Sequence, residues 1–105
     1  MLYDFYGELL TEHQKKLYEA VIFEDLSFAE AADSFGISRQ AVHDNVRRTD
    51  GLLRFYEDKL GLVGRFVRTK ELVKEIGRLA ESFERTGDRG AVRKIAALSE
   101  QIGEL

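Results

Sequence analysis

The chain is expected to be all-α, a helix-turn-helix domain followed by a C-terminal helical extension, and three observations carry that expectation. Its 105 residues include no proline. Its apolar residues recur at helical spacing, with no sustained alternation that would mark a strand. At its centre runs Gly36-Ile37-Ser38-Arg39-Gln40-Ala41-Val42-His43-Asp44-Asn45-Val46, with Ala32 four residues before the glycine. A tight turn between two packed helices needs a residue that tolerates positive φ, a small residue where the backbones meet, and a cap to open the next helix. Gly36, Ala32 and Ser38 are those residues.

The elements follow in order. Leu2, Phe5, Tyr6, Leu9 and Leu10 have the spacing of a first helix over residues 2–10. Thr11 with Gln14 forms a capping box that opens a second helix, whose buried side is Leu17, Val21 and either Ile22 or Phe23. Ser27 with Glu30 repeats the device and opens a short third helix over residues 28–35. Ser38 opens a long fourth helix of about six turns, in which Val42, Val46, Leu53, Tyr56 and Leu60, with Thr49 in the remaining slot, alternate at four and three up to Gly61. Gly51 weakens its middle and is a candidate bend. A fifth helix over residues 66–84 carries Leu72, Ile76, Leu79 and Phe83. After the break at Thr86-Gly87-Asp88-Arg89-Gly90, a sixth over residues 91–102 carries Val92, Ile95, Leu98 and Ile102. Residues 1–62 are expected to form the helix-turn-helix domain, and residues 63–105 a C-terminal helical segment for dimerisation and packing. Seven rings lie in the first 35 residues: Tyr3, Phe5, Tyr6, Tyr18, Phe23, Phe28 and Phe35. They are expected to form the aromatic core that four short helices need to bury.

Composition removes several classes of function. There is no cysteine, hence no disulfide framework, iron-sulfur cluster or thiolate zinc site. Two histidines are too few for a convincing metal site, and no metal or cofactor is expected. Ser27 and Ser38 read as caps without a base to activate them, and the glycines at 77, 87, 90 and 103 form no phosphate loop. No enzymatic activity is expected. The N-terminal residues lack the basic start and apolar run of a secretion signal, and no apolar stretch approaches the ~20 residues that span a bilayer. The expected location is cytoplasmic, without membrane insertion.

The net charge is −3 but unevenly spread. Residues 1–35 hold eight acids against two lysines, whereas residues 36–94 hold fourteen Lys or Arg against nine acids. Such asymmetry can set a positive face beside a negative body, as phosphate contact requires, and the alternative for the charges after residue 65 is a helical surface laced with ion pairs. With Ala41, Val42 and Val46 turned inward, Arg39, Gln40, His43 and Asp44 occupy the outer side of the fourth helix near its start, and Arg47 and Arg48 lie a turn further on. Arginine reads guanine bidentately, glutamine reads adenine, and either later arginine can hold a phosphate. The candidate nucleic-acid-binding residues are therefore Arg39, Gln40, His43, Arg47 and Arg48, and Asp44 is expected to pair within the helix.

Asp4-Phe5-Tyr6-Gly7-Glu8-Leu9-Leu10-Thr11, Glu24-Asp25-Leu26-Ser27, the stretch Phe35 to Val42, Asp44-Asn45, Arg48-Thr49 and Tyr56-Glu57-Asp58-Lys59-Leu60-Gly61-Leu62 closely resemble the YlxM family of small bacterial proteins. The likeness in these motifs covers roughly residues 2–63, with the remainder alike only in being helical. It implies a domain similar to region 4 of sigma factors, and a homodimer. It also implies a role beside the signal recognition particle protein and its receptor, to which the family is linked by gene neighbourhood. The expected function is that of a helix-turn-helix regulator or accessory factor of that pathway, acting on DNA by preference and on RNA as a second choice. The alternative is an adaptor that keeps the sigma-like fold and docks a component of the signal recognition particle, its acidic N-terminal body meeting a basic partner.

Overall fold

Two reciprocal capping boxes punctuate the first third of the chain. The Thr11 hydroxyl accepts from the Gln14 amide at 3.2 Å while the Gln14 side chain accepts from the Thr11 amide at 3.0 Å. Ser27 and Glu30 repeat the exchange at 3.1 Å in both directions. Each box satisfies two helix-end donors that would otherwise lack partners. The bonds at Ser27 also hold the Glu30 carboxyl below its ordinary pKa.

In the computed structural model, which describes residues 1–105, all regular elements are helical. The first compact unit, Met1–Gly61, holds α1 (Leu2–Tyr6), α2 (Glu12–Tyr18), α3 (Phe28–Phe35) and α4 (Arg39–Leu60). The expected first helix breaks after Tyr6 into a 3₁₀ turn, Gly7–Leu9. The ring of Tyr3 lies over Gly7 there, close enough that a β-carbon would sit 3.1 Å from it.

The second helix ends differently from expectation. Beyond α2 the backbone widens into a π-helical turn, Glu19–Phe23, with the Glu24 amide bonded to the Glu19 carbonyl at 3.0 Å, and Asp25 at φ 58° stops it. A π turn takes an extra residue per turn and so shifts the side chains after it around the axis. Ala20 is buried, while Ile22 and Phe23 are 43% and 58% exposed. The expected aromatic core is corrected accordingly. Tyr6 and Tyr18 are buried, Tyr3, Phe5 and Phe35 are half-buried, and Phe23 and Phe28 lie at the surface.

Helix α4 is the strut against which α1, α2 and α3 pack. Its inner stripe is Val42, Val46, Thr49 and Leu53, all buried; Tyr56 is half-buried and Leu60 exposed. Leu17, Tyr6 and Leu53 are almost wholly enclosed, and each such side chain stabilises the fold by about 1.5–3 kcal/mol. Three tyrosines add directed bonds: Tyr3 donates to Glu19, Tyr6 to Glu57 and Tyr18 to Asp50. The last two tie α1 and α2 to the second half of α4. Helix α4 continues through Gly51 without interruption.

The second unit, Leu62–Leu105, is an antiparallel hairpin of α5 (Leu62–Thr86) and α6 (Arg89–Gly103). Gly61 ends α4 in the left-handed region at φ 63°, and α5 starts at once, four residues earlier than its apolar spacing suggests. Asp88 caps α6 by accepting from the Gly90 amide at 2.9 Å, and Arg68 near the start of α5 reaches Gln101 near the end of α6. Leu72 and Ala91 are the buried apolar residues of the hairpin, with Ile76, Leu79, Ile95, Leu98 and Ile102 half-buried between the helices. Phe83 and Val92, expected in the packed stripes, are 40% and 49% exposed. The position of Val92 is taken by Ala91, one residue earlier.

Candidate nucleic-acid interface

The turn between α3 and α4 contains only Gly36, Ile37 and Ser38. Gly36 adopts φ 67° and ψ 35°, and a β-carbon there would touch nothing, so the glycine answers a need of the backbone angle and not of space. The amides of Gly36 and Ile37 both return to the Ala32 carbonyl, the latter at 3.1 Å, which closes the end of α3. Ser38, extended at ψ 158°, opens α4 by accepting from the Ala41 amide at 3.0 Å. Ala31 and Ala32 are buried where the helices meet. A larger side chain at either position would push them apart.

With Val42 and Val46 pinned inward, all five expected residues come to the surface: Arg39, Gln40, His43, Arg47 and Arg48 are exposed. At helical spacing Gln40, Asp44 and Arg47 share one outward stripe, with His43 and Arg48 on its two flanks. Asp44 pairs within the helix as its position implies: Gln40 donates to it at 2.9 Å and His43 Nδ1 lies 3.6 Å away. His43 also sets its ring edge-on to Phe28 of α3, centroids 5.7 Å apart. The exposed Phe28 therefore contacts a side chain of the candidate interface.

Arg39, Arg47 and Arg48 join no ion pair, in contrast to Arg68 and Arg78 of α5, which pair with Glu71 and Glu75. Arg54 is a fourth exposed, unpaired arginine of α4, two turns beyond Arg47 on the same stripe. Its seven-residue spacing from Arg47 was the signal for it. The carboxylates of Asp50 and Glu57 accept the hydroxyls of Tyr18 and Tyr6. Both carboxylates thus turn towards α1 and α2, and the four arginines outside any ion pair stand on the exposed surface of α4.

The UPF0122 family, described as "Putative helix-turn-helix protein, YlxM / p13 like", matches residues 1–88. The chain belongs to this family. It is 46% identical over 98 residues to a UPF0122 protein of Symbiobacterium thermophilum, covering 93% of this chain and 89% of the relative. It is 39% identical over 104 residues to a UPF0122 protein of Geobacillus kaustophilus, covering 99% and 90%. A third UPF0122 protein, from Halalkalibacterium halodurans, is 43% identical over 75 residues, covering 71% of this chain and 69% of the relative. The likeness to UPF0122 proteins therefore runs well past residue 63, where the motifs alone had stopped, and takes in all of α5. No helix is long and apolar enough to cross a membrane.

Proposed function

We propose that the chain binds nucleic acid by laying the start of α4 in a groove, with Arg39, Gln40 and His43 against base edges and Arg47 and Arg48 on phosphates. The observation that carries this reading is the set of exposed, unpaired arginines on the outward side of the second helix of a helix-turn-helix, in a chain whose net charge is −3. A cationic stripe on an acidic protein favours oriented docking over indiscriminate coating. DNA is the preferred ligand, because its major groove admits a helix and that of duplex RNA does not. Reading adenine with Gln40 means giving up its bond to Asp44, a cost of about 0.5–1.5 kcal/mol, so Arg39 is the stronger discriminator.

The chain acts in the cytoplasm without catalysis or cofactor, as a regulator or accessory factor of the signal recognition particle pathway, the role implied by the YlxM family's gene neighbourhood. It works as a homodimer, so that two recognition helices reach half-sites about one duplex turn apart. The exposed Ile22 and Phe23, set among Glu19, Glu24 and Asp25, favour a second reading, in which the sigma-like fold docks a basic protein of the same pathway. Affinity recovery of the tagged chain with and without nuclease tests both. Nucleic acid that copurifies and is depleted by the Arg47→Ala, Arg48→Ala double variant supports the first reading. Pathway proteins retained after nuclease, with no enriched nucleic acid, contradict it in favour of the second.

A further inference from the structure

Gly77 lies in the middle of α5, where glycine weakens a helix relative to alanine, yet a β-carbon at this position would touch nothing within 4 Å. Nothing in its own chain requires the missing side chain. Around it, at 3.6 residues per turn, Phe66, Val73 and Ala80 share the same side of the helix; Phe66 is 41% and Val73 53% exposed. This side is turned away from the stripe of Leu72, Ile76 and Leu79 that packs on α6. Val92 of α6, 49% exposed, borders it, because residues one place after the contact stripe fall on a common face in both helices of an antiparallel hairpin.

The charges beside this face are ordered along the helix. Lys70 and Lys74 precede Gly77, and Glu81 and Glu84 follow it. None of the four is in an ion pair, whereas Glu71 and Glu75, further round the helix, are neutralised by Arg68 and Arg78. At 1.5 Å per residue, Lys70 and Glu84 lie about 10.5 Å on either side of Gly77, and Lys74 and Glu81 lie about 4.5 Å before and about 6 Å after it. A twofold axis through Gly77, perpendicular to the helix, therefore brings Lys70 opposite Glu84 and Lys74 opposite Glu81 of a second copy, each pairing made twice. A parallel arrangement would set lysine against lysine.

We propose that this face of α5 is the contact between two copies of the chain, antiparallel, with Gly77 at the crossing and Lys70–Glu84 and Lys74–Glu81 pairs across it. The absence of a side chain at Gly77 lets the helix axes approach closely, as the spacing of packed helices depends on the side chains at the contact, and Val73 then meets Ala80 of the second copy. The self-complementary patch is what a twofold interface needs. The inference rests on the homodimer reading above and adds its register.

The test is sedimentation equilibrium of the full chain and three charge variants, together with oxidative crosslinking, for which the chain offers a cysteine-free background. Lys70→Glu and Glu84→Lys alone should each weaken dimerisation by roughly tenfold, as two attractive pairs become repulsive. The double variant Lys70→Glu, Glu84→Lys should recover it to within a few-fold. Val73→Cys combined with Ala80→Cys should oxidise to a covalent dimer, since Val73 of one copy would meet Ala80 of the other, while Glu71→Cys, on another side of α5, should not. A dimer indifferent to both charge reversals, or one that the Val73→Cys, Ala80→Cys pair fails to crosslink, overturns the register and leaves the homodimer standing. A monomeric unmodified chain overturns both.

Discussion

The phenolic hydroxyl of Tyr18 on α2 donates to the Asp50 carboxylate on α4 across 2.7 Å, while the Tyr18 ring stacks on that of Tyr3 with centroids 5.5 Å apart. One side chain thus ties the acid-rich N-terminal segment to the helix that bears the candidate interface, one turn beyond Arg47. Tyr18→Phe retains the stack and deletes the bond, leaving a half-buried carboxylate without that donor. The expected loss is about 1–3 kcal/mol. Urea unfolding should show a lower midpoint with an unchanged slope.

The same bonds make the fold sensitive to alkali. Burial, then the hydrogen bond to a carboxylate, then its charge push Tyr18 up to about 12, and burial with the Glu19 bond does the same for Tyr3. An unfolded tyrosine ionises near pH 10. Because the folded state holds these protons more tightly, their contribution is fully present below about pH 10 and is lost as pH rises towards about 12. Thermal melts across that window should fall steeply for the natural chain and less steeply for Tyr18→Phe, with tyrosinate absorbance rising in step.

Two glycines of the first unit should respond oppositely to alanine. Gly36 holds φ 67° in the turn, so Gly36→Ala should destabilise by about 1–2 kcal/mol. Gly51 lies within α4 with open space where a β-carbon would go, and Gly51→Ala should stabilise by up to about 1 kcal/mol. Differential scanning calorimetry of the pair separates the two roles. Equal shifts of one sign would contradict the turn geometry.

The caps at Thr11, Ser27 and Ser38, the left-handed Gly36 and the inner stripe of α4 were all legible in the sequence, because each depends on residues within a turn or two of one another. The outward set Arg39, Gln40, His43, Arg47 and Arg48 followed from that stripe by periodicity. What escaped depends on distant partners. The π turn at Glu19–Phe23 has no local signature, and it turned Phe23 from an expected core residue into a surface one. The bonds from Tyr6 to Glu57 and from Tyr18 to Asp50 join residues far apart in sequence, so the tyrosines read only as apolar rings. Arg54 lies two turns beyond Arg47, past the N-terminal turns of α4 that a recognition helix sets against base edges.

Thr49 fills a slot in the inner stripe of α4 where periodicity asks for an apolar residue. It is fully buried, and its hydroxyl has no hydrogen-bond partner. Removing an unsatisfied buried hydroxyl while retaining the branched shape relieves a desolvation cost. Thr49→Val should therefore stabilise by about 1 kcal/mol, which corresponds to a rise in Tm of roughly 4–8 °C for a unit of this size.

The central claim is that the outer side of α4 meets nucleic acid, and the salt dependence of binding tests it most directly. Duplexes of mixed sequence should bind the natural chain with an affinity that falls linearly with salt on logarithmic axes. Arg47→Ala and Arg48→Ala should each flatten that slope by about 0.9, the value of one phosphate contact, without changing the melting temperature. Arg39→Ala should instead reduce discrimination between sequences and leave the slope nearly unchanged. Binding by the natural chain that is insensitive to salt, or slopes that survive loss of both Arg47 and Arg48, would contradict the claim.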